Sequence, residues 1–523
     1  MFNSANSVAA MSATPGRSNV DHLIVGAGFA GLAAAIKLDE AAERDFVVIE
    51  KDSDVGGTWH INTYPGAECD VPSQLYSYSF ALNPEWSKVY SPQQEIWEYT
   101  RKVAEDSGTL DRFVFDTAVV DARWDDDEQR WIVRTEGPDG PKEYAARTVI
   151  SGSGGLSEPR LPEIEGIDSF QGEIFHSARW DHDVDLAGKR VAVIGTGASA
   201  IQLVPELQKV VGHMDVYQRT PNWVIPRNER SFTGFEKAVF KNVPGAQRAL
   251  RSLVYGTLEA RVPAFARFPQ AMRAVELQGK RNISKGITDP ELRKKVTPDY
   301  RAGCKRILIS NKWYPALDAD NVDLVTDPIQ KITGDAIVTA DGVERPIDVL
   351  VVATGFYVTE PPIAQHITGR GGRTLADVWD EGGMAAYKGT TIHGFPNLFQ
   401  VVGPNTALGH SSMIFIIESQ VRYVVEAAKA MRAEGLAVVE PTQAAQDAWT
   451  AEIRRKMKPT VWQTGGCASW YLDKFGNNTT LWPGQTFTFR QHLRSFDIDK
   501  YDVQAVQPPK STQSPTSQEK VSS

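Results

Sequence analysis

Cysteine is scarce. Only Cys69, Cys304 and Cys467 occur in 523 residues, and none forms a CxxC pair. A zinc knuckle or a local dithiol redox centre is therefore not expected, which excludes disulfide-reductase chemistry. No uncharged apolar run reaches the ~18 residues of a membrane-spanning helix. The opening Met1-Phe2-Asn3-Ser4 has no basic stretch followed by an apolar one, so no secretory signal is read. Positive charge is in deficit, with 56 Lys and Arg against 65 Asp and Glu and a net charge of −9, which disfavours a nucleic-acid partner. No internal repeat is present. No segment follows the twelve-residue calcium loop, and the acidic runs Asp125–Glu128 and Asp181–Asp183 read as solvated turns, so no metal is expected. These absences leave a cytoplasmic protein with no membrane, nucleic-acid or metal partner as the expectation.

What is present is ordinary globular composition, 41% apolar and 23% charged, in a chain long enough for about three lobes at ~150 residues each. Two segments carry an apolar strand into a glycine turn. In the first, His22-Leu23-Ile24-Val25 leads into Gly26-Ala27-Gly28-Phe29-Ala30-Gly31, then an alanine-rich helix and a second strand, Phe46–Ile49. That strand ends at Glu50, 22 residues after Gly28. The glycines let the backbone approach a pyrophosphate at the helix N-terminus, and the acid accepts hydrogen bonds from a ribose. In the second, Arg190–Ile194 leads into Gly195-Thr196-Gly197-Ala198-Ser199-Ala200, and the following strand ends in Gln218-Arg219-Thr220. An acid there would repel a ribose 2′-phosphate, whereas Arg219 can pair with one, so this turn reads as NADP-selective. FAD in the first fold and NADPH in the second is the simplest pairing, because a flavin accepts hydride from nicotinamide. Pro205 should kink or shorten the second helix.

Between the turns, Thr117–Trp124, Arg130–Thr135 and Tyr144–Ile150 predict a three-stranded antiparallel meander. Ser151-Gly152-Ser153-Gly154 and Ala353-Thr354-Gly355-Phe356 follow buried strands, as expected where backbone passes close to a nucleotide. From Arg227 to Arg306 the pattern is helical, with 18 Lys plus Arg against 7 acids. An electrostatic funnel for an anionic cofactor and plain basic helix faces both remain open readings.

The joining segment, Phe170-Gln171-Gly172-Glu173-Ile174-Phe175-His176-Ser177-Ala178-Arg179-Trp180-Asp181, is similar to FxGxxxHxxxW(P/D), the fingerprint of FAD- and NADPH-dependent Baeyer–Villiger monooxygenases. Gly56-Gly57-Thr58-Trp59, Tyr64-Pro65-Gly66 and Asp70 resemble the family's GGxWxxxxYPGxxxD signature. Gly303-Cys304-Lys305-Arg306 also sits in family order, so the resemblance spans roughly Val20 to Tyr501.

The resemblance implies an α/β fold of two Rossmann-like domains, the NADP domain and its helical insert interrupting the FAD domain. The expected order is an arm at 1–19, FAD domain at 20–155, NADP domain at 156–226, helical insert at 227–302, NADP domain at 303–352, FAD domain with substrate-pocket segments at 353–503, and a disordered tail at 504–523. It implies use of O2 to convert ketones to esters or lactones through a C4a-peroxyflavin. Arg306 is implied as the catalytic guanidinium and Asp70 as its partner. Gly26, Gly28, Ala30, Gly31, Glu50, Gly57, Thr58, Trp59, Asp70, Tyr76, Val119 and Met413 are implied to line FAD. Gly195, Thr196, Gly197, Ala198, Ser199, Ala200, Gln202, Arg219, Thr220, Lys305, Arg306 and Trp470 are implied to hold NADP, although Trp470 as a core residue is an alternative. The fingerprint residues Phe170, Gly172, His176, Trp180 and Asp181 are expected at the joint between folds, with His176 structural rather than a base. His410 either faces substrate or caps the helix after it. An N- or S-oxygenating flavin monooxygenase is the nearest rival, and a non-catalytic NADPH-binding protein is a more distant one. The particular ketone and the oligomeric state are not read from the sequence.

Overall fold

The structure, a computed structural model, describes residues 16–506. Two sheets organise it. In the first, the strand Arg17–Val25 lies between Phe46–Ile49 and Lys142–Ser151, parallel to both. Phe113–Val114 continues one edge. On the other side, Ala118–Asp125, Arg130–Glu136 and Lys142–Ser151 form the expected antiparallel meander. Lys142–Ser151 divides its outer edge: residues 142–146 pair with the meander, and Val149–Ser151 pair in parallel with Leu398–Gln400. The strands Val20–Val25, Lys142–Ser151 and Phe395–Gln400 therefore finish at the same end, where the first glycine turn sits.

The second sheet is wholly parallel, in the order Val322–Val325, His213–Tyr217, Arg190–Ile194, Val349–Val352, Glu173–His176. Its central strands are buried runs of Val, Ile and Ala, the pattern of a parallel sheet covered on both faces. The chain leaves the first sheet at Ser151, builds the second, and rejoins the first at Ile367–Thr368. The helices between the third and fourth strands of the second sheet in chain order, Gly234–Asn242, Ala246–Glu259, Val262–Ala266, Arg273–Gly286 and Pro290–Lys295, form the basic insert. The fold is thus two dinucleotide-binding α/β units, one inserted in the other. No described helix is long and apolar enough to cross a membrane.

Helix Phe29–Glu40 buries Phe29 to Ile36 without a gap, packing on the sheet and on helix Met413–Ala433. Its small residues permit that closeness. A Cβ on Gly31 would lie 1.7 Å from the Gly26 carbonyl oxygen, so only glycine fits there. Pro205 falls in the last turn of Ala200–Leu207, which ends after eight residues, as a missing N–H and a ring clash dictate.

Two expected boundaries need correction. The expected arm, 1–19, is shorter: strand pairing begins at Arg17, whose backbone registers with Glu143 and whose guanidinium pairs with Glu128. The expected tail, 504–523, begins later: Gln504 and Ala505 belong to Tyr501–Ala505, which pairs with Leu436–Pro441. In both places backbone ladder bonds order residues whose side chains carry no apolar signal. The remaining arm and tail residues, 1–15 and 507–523, lie outside the described residues.

Candidate active site

The first glycine turn is built for close approach. Gly26 has φ +93°, and a Cβ there would meet the Gly152 carbonyl oxygen at 3.0 Å. The exit loop after Ile150 thus presses on the turn, as Ser151-Gly152-Ser153-Gly154 suggested. Gly28 stands at the N-cap of Phe29–Glu40 with no side chain capping it, and the first turn holds no acid. The leading N–H groups are left for a ligand anion. Glu50 is buried and accepts from the Ala27 N–H (2.5 Å) and the Asp52 N–H (2.9 Å). Burial raises its pKa, which the two backbone bonds oppose.

Gly57 packs face to face on Gly28, where a Cβ would meet the Gly28 Cα at 2.9 Å. Exposed Thr58 opens a short helix, and Trp59 Nε1 donates to Tyr76 Oη at 2.9 Å. Trp59, Tyr76 and Met413, the first residue of Met413–Ala433, pack on one core. Ala30 lies in that same core. Val119 does not join them and packs with Trp124 and Trp131 on another.

The second turn repeats the logic. A Cβ on Gly195 (φ +116°) would meet the Ala353 carbonyl oxygen at 2.4 Å, while above Gly197 the space is open. Ala198 and Ser199 lead into the helix, and buried Ala200 takes the place that Gly31 holds in the first turn. Asn222 Nδ2 donates to the Thr196 carbonyl at 2.7 Å, and the Thr196 hydroxyl reaches the Thr220 carbonyl. Arg219 and Lys305 converge here: burial, then the charge of Arg219, pulls the Lys305 pKa down. Neither makes an ion pair among the described residues. Two cations brought together, neither held in an ion pair, suit a phosphate dianion. Gln202 spends its side chain inside the protein, donating to the Glu68 carbonyl (2.8 Å) and accepting from Tyr64 (2.8 Å), which ties this helix to the loop bearing Asp70.

Arg306 and Asp70, 236 residues apart, meet as expected. Arg306 Nε and Nη2 both donate to Asp70 Oδ2, at 3.1 and 2.8 Å, and Nη1 donates to the Leu408 carbonyl at 3.2 Å. Three of the five guanidinium N–H donors are taken, leaving two for a ligand. Burial pulls the Arg306 pKa down, but the charge of Asp70 and its hydrogen bond outweigh this, and the group is held above its ordinary value. Two residues missed by sequence reasoning steady Asp70: buried Arg227 pairs with Glu68 and donates to the Cys69 carbonyl at 3.1 Å. Glu68 and Arg227 are 159 residues apart, with no local pattern to flag them. Cys69 is free and buried, which pushes its thiol pKa well up.

The fingerprint forms the edge strand Glu173–His176, paired with Val349–Val352. A Cβ on Gly172 would meet the Asp348 carbonyl oxygen at 2.3 Å, and the Phe170 ring closes over that glycine. His176 Nδ1 accepts from the Ala178 N–H, its ring meets Phe356 edge-on at 5.6 Å, and burial lowers its pKa to about 4. It is neutral and structural at neutral pH. Trp180 sits edge-on to Phe175 at 4.9 Å, and the Asp181 carboxylate accepts from the Asp183 N–H, closing its own turn. Arg179 reaches Asp52 and His182 reaches Thr63, so the segment bridges the two sheets.

His410 does not cap the helix that follows it. Ser412 is the N-cap of Met413–Ala433, and buried His410 Nε2 lies 3.2 Å from Glu259 of the insert. Trp470 is 48% exposed and leans on Tyr471, which removes the core alternative. Tyr471 is buried beside Arg306, and burial pushes its hydroxyl up to about 12. Cys304 and Cys467, outside any CxxC, are joined by a disulfide across 163 residues, a pairing that sequence spacing does not reveal. His213, Asp215 and Asp323 also cluster, with Arg345 Nε 3.6 Å from Asp215 already supplying a cation.

A flavin-binding monooxygenase-like family matches residues 21–243. A Baeyer-Villiger monooxygenase of Streptomyces coelicolor is 47% identical over 92% of both chains. A Baeyer-Villiger monooxygenase of Pseudomonas aeruginosa is 45% identical over 96% of this chain and 95% of its own. The crystal structure of OTEMO in complex with FAD and NADP superposes with a TM-score of 0.84 at 28% identity, covering 94% of this chain and 100% of the other.

Proposed function

Because the chain belongs to the Baeyer–Villiger monooxygenase family, we propose that it uses NADPH and O2 to insert one oxygen atom beside a ketone carbonyl, giving an ester or lactone and water. It is an FAD- and NADPH-dependent flavoprotein monooxygenase. The residues fit both groups: an uncapped helix end behind Gly26 and Gly28 for the FAD pyrophosphate, and unpaired Arg219 and Lys305 for the NADPH 2′-phosphate. When bound, FAD accepts hydride from NADPH and activates O2.

The protein's part is positioning and electrostatics. Arg306 stays charged at any working pH and offers two free N–H donors to an oxyanion developing on the carbonyl oxygen. Asp70 fixes the plane of that guanidinium, and the Leu408 carbonyl fixes its roll. The Glu68–Arg227 pair holds the Asp70 loop, and Gln202 couples that loop to the second glycine turn. Half-exposed Trp470 would close over the nicotinamide and exclude water from it.

The observation that carries this reading is the Arg306–Asp70 pair, assembled from segments 236 residues apart. The test is Arg306→Ala assayed with a ketone panel by product chromatography. The variant should keep its FAD and lose ester formation, and an unchanged ester yield would refute the role. Oxygenation confined to amines and sulfides would instead favour the N- or S-oxygenating rival.

A further inference from the structure

Cys304 and Cys467 have no part in the oxygenation, yet the chain bends twice to bring them together. Gly303 (φ +92°) precedes one and Gly466 (φ +80°) the other, both in the left-handed region that glycine adopts without strain. A Cβ on Gly465 would lie 2.5 Å from the Cys304 Cβ, so glycine is required there too. The Arg301 N–H donates to the Gly465 carbonyl at 3.1 Å, and the Cys467 N–H lies 3.2 Å from Cys304 Sγ. The two Cα atoms are 6.1 Å apart, a span that two cysteines bridge without moving the backbone. From Cys304 the chain runs directly to Lys305 and Arg306, and from Cys467 to half-exposed Trp470. Cys304 is buried, whereas Cys467 is only partly so. Cys467 is thus the more accessible of the two and Cys304 the more shielded.

We propose that Cys304 and Cys467 are a reversible redox latch: oxidised, they pin the Gly465–Trp470 segment to the Arg306 turn, and reduced, they release it. The consequence for NADP rests on the reading of Trp470 given above; the thiol chemistry does not. The oxidant is hydrogen peroxide, the product when O2 takes two electrons without oxygenating a ketone. The Cys467 sulfur, its proton lost, attacks the O–O bond, forming a sulfenic acid and releasing water. The Cys304 sulfur then displaces the hydroxyl, which leaves as a second water with the Cys304 proton. Two thiols and one peroxide become one disulfide and two waters. A small dithiol reverses the change by exchange. The latch therefore responds to futile turnover by the enzyme itself.

The test uses the full-length flavoprotein. After dithiol treatment and removal of reductant, all three cysteines should titrate under denaturing conditions. After hydrogen peroxide, only Cys69 should titrate, and an unreduced digest should contain the linked Cys304–Cys467 peptides. Oxidation should slow both proteolysis within 463–470 and NADP+ release, by about fivefold, the low end of coupling between sites. Cys467→Ser should abolish both differences. Cys304→Ala empties a core position and can misfold, so the half-buried position carries the test. Three thiols surviving peroxide, a bond that folded protein keeps against dithiol, or equal proteolysis and release in both wild-type states would each overturn the latch. Failure of NADP+ to bind in either state would sink the proposed function while leaving thiol count and proteolysis to judge the latch.

Discussion

Asp70→Ala isolates positioning from charge. The substitution removes both hydrogen bonds that Asp70 Oδ2 accepts from Arg306, at 3.1 and 2.8 Å, and leaves the Leu408 contact in place. A hydrogen bond to a charged group contributes about 1.5–3 kcal/mol. Here the side chains are 24% and 32% exposed, so solvent screens the pair. The bonds also share one acceptor oxygen, so their contributions do not add. About 2 kcal/mol of orientation is therefore at stake, or about thirtyfold in kcat for ester formation. FAD content should change little, because the Gly26–Gly31 turn and Glu50, which the substitution leaves intact, form the main cradle for it. Unproductive NADPH oxidation should rise, because a guanidinium free to swing no longer meets the oxyanion. Asp70→Asn keeps one acceptor oxygen and should recover part of the loss. The assay couples NADPH consumption, peroxide release and ester yield in one vessel. A kcat for ester within twofold of the parent, with FAD intact, would refute the claim that Asp70 orients Arg306.

Arg219→Ala should raise the KM for NADPH by about one order of magnitude, from the lost charge-assisted phosphate contact, with kcat and FAD content little changed. Binding of NADPH to the parent should weaken with salt more steeply than to the variant, and equal slopes would show that Arg219 faces no phosphate. His176 predicts an acid-side loss of stability. Its folded pKa of about 4 lies below the ordinary 6.5, so the unfolded chain takes up a proton that the folded chain refuses. The stabilisation from neutral His176 is complete above pH 6.5 and declines as pH falls toward 4, by at most about 3 kcal/mol. Denaturant titrations should show a shallower decline over this window in His176→Gln, and parallel curves would exclude His176 as the cause.

How much of this was legible in the sequence depends on range. The two glycine turns were, because strand, turn and helix contact one another within a single short stretch. Gly31 against the Gly26 carbonyl is such a local necessity. The meander was also legible, since alternation and turn residues determine a register between neighbours. Arg306 and Asp70 were legible only through family resemblance; nothing in either flank states that they meet. The arm and tail boundaries failed because backbone pairing orders Arg17–Asn19 and Gln504–Ala505 without any apolar side-chain signal.

What the sequence determined by itself is which segments could cradle a dinucleotide and which charge each would favour, since both follow from steric and electrostatic demands within one supersecondary unit. Tertiary structure alone decided which distant side chains share a site. It placed Arg227 and Glu68 behind Asp70, gave His410 to Glu259 rather than to a helix cap, and set Cys304 against Cys467. Each of those pairs closes a loop of more than a hundred residues, and its partner is chosen by how the two sheets and the insert pack, which no local pattern encodes.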